Sequence, residues 1–290
     1  MDRDEFNTGY CGVPDKYKVA RVSLHMWEEP CISGEERNGT YNGSGTIFFT
    51  GCNLGCIYCQ NRDIAKGEVK KGRVYTEDEL IKKMFLLKNK GANNINLVTP
   101  SHYIHLLPET LKKVKNMGLD IPIVYNTSSY EKVENIKKLD GLVDVYLPDF
   151  KYMDEEKAMK YSFAKDYPKI ADEAIEEMVR QTGRPQFDDN GLIKKGVIVR
   201  HLVLPLAVNN AKNVISHLYD KYGDDIYISV MNQYTPPKEK LIYEELNRKV
   251  TKREYEKVLD YIVESGITHA YIQEGDVADE SFIPDFDDSL

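Results

Sequence analysis

Three cysteines, Cys52, Cys56 and Cys59, stand within eight residues of a 290-residue chain whose other two cysteines are Cys11 and Cys31. An odd number of thiols, with none after Cys59, does not suit a disulfide framework. It points to metal or redox chemistry in a reducing compartment. Thiolates spaced by three and then two residues on one short loop can wrap one compact centre but cannot reach two. A structural zinc site usually draws on paired Cys-x-x-Cys units, and this chain has no second pair. The two-cluster ferredoxin run needs a fourth cysteine, which is also missing. Three thiolates on a four-iron cluster leave one iron free for a substrate or cofactor, an arrangement suited to catalysis.

The elements around the thiols must hold them in place. From residue 46 onward, apolar β-rich runs (46–49, 95–98, 121–125, 143–147, 197–204 and 226–231, with a weaker one at 270–272) alternate with segments of helical period. Near-continuous apolar runs predict strands buried on both faces, as in a parallel sheet covered by helices. Thr76-Glu77-Asp78-Glu79 and Thr251-Lys252-Arg253-Glu254 carry the capping-box pattern of helix starts, and Gly91, Gly118, Gly183 and Gly266 stand where helices should stop. A second helix is expected in the fourth connection over 172–183, followed by a tight turn at Asn190-Gly191. Six βα units predict one α/β domain, either an open doubly wound sheet or a full or partial barrel. The cysteine loop follows the first strand, at the carboxyl end of the sheet, where α/β folds bind ligands. Residues 1–45 lack this rhythm and read as an N-terminal flap. It ends in a loop over 39–45 whose glycines are too irregular for a phosphate fingerprint.

Composition narrows the class. With 41% hydrophobic and 30% charged residues the chain is not disordered throughout. No apolar stretch approaches the roughly 20 residues that cross a bilayer, and Met1-Asp2-Arg3-Asp4-Glu5 has no apolar signal core. A cytoplasmic protein without a membrane role is expected. The net charge of -8 comes from 39 basic and 47 acidic residues. Six of the acids (Asp276, Asp279, Glu280, Asp285, Asp287, Asp288) fall in the last fifteen residues, so the body is nearly neutral. No basic footprint marks a nucleic-acid partner.

The string Gly51-Cys52-Asn53-Leu54-Gly55-Cys56-Ile57-Tyr58-Cys59, a Cys-x3-Cys-x2-Cys with an aromatic before the last cysteine, resembles the signature of the radical S-adenosylmethionine (SAM) superfamily. Residues 43–54, Cys59-Gln60-Asn61, and the segments 94–100, 124–128, 146–152, 199–205 and 231–234 are similar to the branch related to pyruvate formate-lyase activating enzymes, a resemblance running from about Trp27 to Glu274. It implies a partial (β/α)6 barrel of the radical SAM type over 46–274, an N-terminal extension over 1–45 and an acidic C-terminal tail over 275–290. It also implies one 4Fe-4S cluster on Cys52, Cys56 and Cys59 whose free iron binds SAM. One electron then yields methionine and a 5'-deoxyadenosyl radical that abstracts hydrogen. In such enzymes the cofactors carry the hard chemistry and the protein positions and shields them.

Several polar groups at strand ends are candidates for holding SAM. Asp149 and Lys151 share a face after the fourth strand and resemble the Asp-x-Lys of activating enzymes, where the Lys lies near SAM or its target; a solvated pair is the alternative. Arg200 and His201 face opposite sides of one strand, and the resemblance favours Arg200 as the anion ligand, leaving His201 as a packed or outward histidine. Asn126, Thr127 and Ser128 follow the third strand as candidates for the ribose or the methionine carboxylate, although Ser128-Ser129-Tyr130-Glu131 also reads as a capping box. Asn96 is placed to reach the pocket or to serve as a buried amide. Gln233 is a candidate for the adenine edge, and Tyr58 for bracketing adenine or for packing.

The chain also departs from the family. Thr99-Pro100-Ser101-His102 stands where a Gly-Gly-Glu motif usually holds the SAM amino group, leaving that ligand open, and Pro205-Leu206 replaces a Pro-Gly. Cys11 resembles the remnant of a longer cysteine-rich segment, and Cys31 has no assigned role. Lys66, Lys70, Lys71 and Arg73 could dock a flavodoxin or ferredoxin as electron donor or form a solvated face. The reading is a radical SAM oxidoreductase resembling activases that abstract hydrogen from a glycine of a partner glycyl radical enzyme. The alternatives are a radical SAM enzyme acting on a small molecule or another peptide, and a non-catalytic iron-sulfur or zinc protein.

Overall fold

The computed structural model describes residues 15–34, 42–65 and 71–273. Its strands are β1 (Tyr17–His25), β2 (Ser44–Phe49), β3 (Arg73–Tyr75), β4 (Ile95–Val98), β5 (Ile123–Thr127), β6 (Val145–Pro148), β7 (Gln186–Phe187), β8 (Ile193–Leu202), β9 (Tyr227–Met231) and β10 (Ala270–Ile272). The helices are α1 (Pro30–Ser33), α2 (Arg62–Ala65), α3 (Glu77–Asn89), α4 (Leu107–Asn116), α5 (Val133–Lys137), α6 (Glu155–Ser162), α7 (Tyr167–Thr182), α8 (Val208–Tyr222) and α9 (Lys252–Glu264). Cys11, Lys66, Lys70 and the acidic tail lie outside the described residues.

The apolar runs become β2, β4, β5, β6, β8 and β9, all paired in parallel, and the weak run at 270–272 adds β10 at the edge. Every residue of β2, β4, β5 and β6 is buried, as strands covered on both faces require. Among the described residues the order β10-β9-β8-β6-β5-β4-β2-β1-β3 does not close on itself, so the sheet is an open, partial barrel. The helices cover its outer face. α3, for example, buries Leu80, Met84 and Leu87 at helical spacing behind a complete Thr76–Glu79 capping box, and α9 starts on the matching Thr251–Glu254 box. The second helix of the fourth connection is α7, and Gly183, at φ 66°, caps it in a conformation that favours glycine.

The N-terminal segment departs from its reading as a flap. Residues 17–25 form β1, antiparallel to both β2 and β3. A strand with two antiparallel partners has no crossover helix after it, which is why the βα rhythm is missing there. Because His25 lies opposite Ser44, the chain leaves β1 at the amino-terminal end of the parallel strands, away from the cysteine loop. There α1 closes the floor of the barrel, with Cys31 and Ile32 packed against Val124, Val145, Leu147, Ile193 and Ile198. Val124, Leu147 and Ile198 stand two residues before Asn126, Asp149 and Arg200, so these polar side chains share the lumen face further up each strand.

Candidate functional site

Beyond the carboxyl ends of the parallel strands lies a cavity of about 240 Å³ lined by Cys52, Cys56 and Cys59 together with Tyr58, Asn126, Thr127, Asp149, Lys151, Arg200 and Gln233. Gly51, at φ 89°, turns the chain out of β2, and its N–H donates to the Ile64 carbonyl at 2.7 Å. The loop is then tied down at several points. Cys59 N–H donates to the Cys56 carbonyl, Ile57 N–H to the Tyr161 carbonyl, Asn53 Nδ2 to the Tyr130 carbonyl, and Gln60 Nε2 to the Gln233 carbonyl. Leu54 and Tyr58 anchor it as buried side chains. Cys31, Cys52, Cys56 and Cys59 are free thiols. Burial, and then the neighbouring Cys56, push Cys52 up to about 12 and Cys59 up to about 11. Among the described residues no three His, Cys, Asp or Glu side chains form a ready ligand set for a single metal ion.

Facing the thiols is a chain of buried charges. Lys151 Nζ lies 2.7 Å from Asp149 Oδ2, the shared face expected of that pair, and Arg200 Nε lies 3.1 Å from Asp149 Oδ1. Burial opposes the Asp149 charge, but Lys151 and Arg200 outweigh it and hold this carboxyl below its ordinary value. For Lys151, burial is outweighed in turn by Asp149 and Cys56, and its pKa is raised. Arg200 also donates from Nη2 to Asn126 Oδ1 at 2.6 Å and from Nη1 to Glu28 Oε2 at 3.1 Å. Glu28 rises from the barrel floor, and Asn96 Nδ2 buttresses its other oxygen at 3.1 Å. Asn96 therefore sits beneath the cavity without lining it. Burial pushes the Glu28 carboxyl up, while Arg200 and Asn96 pull it down.

The remaining candidates divide by what their side chains touch. Thr127 donates to the buried carboxylate of Glu131, which also accepts from Ser101 Oγ and Tyr125 Oη at 2.9 Å each. Glu131 therefore does not close a capping box with Ser128, and the following helix starts only at Val133. Ser128 Oγ is left buried without a partner, and Ser128 is the cavity-lining residue among the described ones with such an orphaned atom. The Tyr58 ring packs edge-on to Tyr161 and Tyr234, and its hydroxyl meets Tyr152 Oη at 2.7 Å. Gln233 Oε1 accepts from Gln273 Nε2 at 3.3 Å. His201 faces away from the lumen, buried, with Nδ1 donating to the Phe150 carbonyl at 2.7 Å; burial lowers it to about 4 and keeps it neutral. Thr99, at the rim where Gly-Gly-Glu is missing, is a β-branched residue at φ 56°, a conformation costing on the order of 1–3 kcal/mol.

Sequence reasoning did not find Glu28, Glu131 or Ser162. The first lies 172 positions from Arg200, and no local pattern announces such a contact. The Ser-x-x-Glu signal at Glu131 was present, but it marks a buried hydrogen-bond hub.

The donor set suits the cofactors that the cysteine motif implies. SAM carries an ammonium, a carboxylate, a sulfonium and a ribose. The cavity offers carboxylates (Glu28, Asp149), cations (Lys151, Arg200) and the unpartnered Ser128 hydroxyl beside three thiols.

Comparisons agree with this geometry. The pattern of the Radical SAM superfamily matches residues 46–190. An uncharacterized protein of Methanocaldococcus jannaschii is 33% identical over 265 residues, covering 88% of this chain and 70% of that one. The pyruvate formate-lyase-activating enzyme of Clostridium pasteurianum is 28% identical over 195 residues, covering 63% of this chain and 72% of that one. In fold, the crystal structure of Streptococcus suis SuiB bound to S-adenosylmethionine superposes with a TM-score of 0.51 at 14% identity, covering 78% of this chain. The chain spans 48% of the length of SuiB. No described helix is long and apolar enough to cross a membrane.

Proposed function

Because the chain belongs to the radical SAM superfamily, we propose that Cys52, Cys56 and Cys59 hold one 4Fe-4S cluster, that the cavity beside them holds SAM, and that the enzyme is an activase acting on a glycine of a partner protein. One observation carries the cofactor reading: three thiols and a buried set of paired charges of both signs meet on one cavity at the carboxyl ends of parallel strands. When bound, the cluster and SAM supply reductive cleavage of the sulfonium and hydrogen-atom abstraction.

The chain's own residues bind, orient and shield. Lys151 presents its ammonium to the methionine carboxylate, and Asp149 holds that ammonium in place and keeps it charged. Arg200 is also a tether, since Asp149, Glu28 and Asn126 take one donor from each of its three nitrogens, three of the five that a guanidinium carries. It fixes the ends of β5 and β6 against β8 at the cavity wall. With Thr99-Pro100-Ser101 in place of Gly-Gly-Glu, the carboxylates facing an ammonium group are Asp149 and Glu28. With SAM bound, Ser128 would donate to it and Gln233 would hold its adenine edge. Tyr58 and Leu54 exclude water from behind the thiols.

The activase step draws support from the similarity to the Clostridium pasteurianum enzyme. The reconstituted protein, reduced with SAM present, is mixed with each co-encoded glycyl radical enzyme and examined by electron paramagnetic resonance. A glycyl radical doublet in the partner is the expected result. Its absence with every candidate, alongside active SAM cleavage, would transfer the reading to a small-molecule or other peptide substrate.

A further inference from the structure

Behind the cysteine loop, a line of buried hydroxyls ends on one of the thiols. Ser162 closes α6, and its Oγ donates to Cys56 Sγ at 3.1 Å. Tyr152 Oη lies 2.8 Å from Ser162 Oγ, and Tyr58 Oη lies 2.7 Å from Tyr152 Oη. All three residues are buried, Ser162 at 2%, Tyr152 at 0% and Tyr58 at 5% exposure, so water does not substitute for these contacts. The geometry is held by the main chain, because Ile57 N–H donates to the Tyr161 carbonyl at 2.9 Å and sets the end of α6 in register with Cys56. Cys56 adjoins Ile57 and Ser162 adjoins Tyr161, the two residues that make that bond.

A sulfur bonded to iron has no hydrogen to give, so the Ser162 hydroxyl must donate to it. The Ser162 oxygen is then free to accept from Tyr152, and Tyr152 from Tyr58. Three O–H dipoles therefore align head to tail with their positive ends toward Cys56, each strengthening the next in a low-dielectric surrounding. Donors to cluster sulfurs favour the more negative, reduced state, because they stabilise charge that the added electron places on the sulfur.

Resting on the reading that the three cysteines hold a cluster, we propose that Ser162, backed by Tyr152 and Tyr58, is a positioning residue that raises the reduction potential of that cluster through Cys56. The electron comes from the external reductant, and no covalent bond or proton changes place along the hydroxyl line.

The test is a redox titration of the anaerobically reconstituted full chain, without SAM, poised with dithionite and mediators and read by electron paramagnetic resonance. In Ser162→Ala the ratio of reduced to oxidised cluster at the wild-type midpoint is expected to fall about tenfold, a shift of about 59 mV to more negative potential. Ser162→Thr keeps the hydroxyl and should restore the wild-type value. Tyr152→Phe removes only the second donor and should lower the ratio by about 1.5- to 2-fold. If Ser162→Ala fails to load iron, Tyr152→Phe decides alone. A loaded Ser162→Ala or Tyr152→Phe variant with an unshifted midpoint overturns this inference while leaving the cluster reading intact. A wild-type chain that binds no iron and sulfide overturns both.

Discussion

Glu28 Oε2 lies 3.1 Å from Arg200 Nη1, joining the segment below the barrel floor to a strand 172 positions later, with both side chains largely withdrawn from solvent. Breaking a buried ion pair from one side leaves the other charge uncompensated. Glu28→Ala should therefore destabilise the fold by about 3 kcal/mol, the low end for such pairs because Asp149 still faces the guanidinium. Glu28→Gln keeps an acceptor for Arg200 and should cost less. Urea denaturation measures both, and a Glu28→Ala midpoint equal to wild type would remove this contact from the account of how Arg200 is held.

The ligand assignment makes a separate prediction. Cys56→Ala should lose its iron and sulfide on reconstitution while keeping a wild-type far-ultraviolet circular dichroism spectrum, because Cys56 is only partly buried and the loop is anchored by Leu54 and Tyr58. A full four-iron complement in that variant would contradict the assignment.

Ser128 tests the cofactor pocket. Its Oγ has no protein partner to lose, so Ser128→Ala should leave stability unchanged. Losing one hydrogen bond to SAM, worth about 1 kcal/mol, should weaken SAM affinity about fivefold in equilibrium binding to the reconstituted protein. An unchanged affinity would leave the orphaned hydroxyl without a role.

Much of the scaffold was legible because β2, β4, β5 and β6 are buried on both faces and therefore mostly apolar, with Ser44, Thr46, Asn96, Asn126 and Thr127 as buried polar exceptions. Both Thr-x-x-Glu boxes formed caps, whereas Ser128-x-x-Glu131 did not: Glu131 found three hydroxyl donors in Ser101, Thr127 and Tyr125 and turned inward. Local spacing cannot tell these outcomes apart, because the competing partner at Ser101 comes from another strand end. β1 was hidden for a related reason, as its register is set by β2 and β3 and by no crossover of its own. Asp149 and Lys151 were legible as a pair because two residues of extended chain put them on one side. The pairing of Arg200 with Glu28 could be seen only in three dimensions.

His201 sets a pH dependence of stability. Burial lowers its folded pKa to about 4, below the ordinary histidine value, so the unfolded chain takes up a proton that the folded chain refuses. Its contribution is fully present above the unfolded pKa of about 6.5 and is lost as pH falls toward 4, at up to about 1.4 kcal/mol per pH unit. Urea midpoints at pH 7, 6 and 5 should fall with acidity, and His201→Gln should show a shallower fall. Equal slopes in the two proteins would show that His201 is not the group responsible.

The central claim concerns the cavity shared by Cys52, Cys56, Cys59, Asp149 and Lys151. It is tested most directly by reconstituting the chain anaerobically with iron and sulfide, reducing it with dithionite in the presence of SAM, and quantifying 5'-deoxyadenosine. Formation of 5'-deoxyadenosine and methionine in equal amounts, abolished in Cys56→Ala, is the predicted result. A fully loaded cluster that forms no 5'-deoxyadenosine would contradict the account.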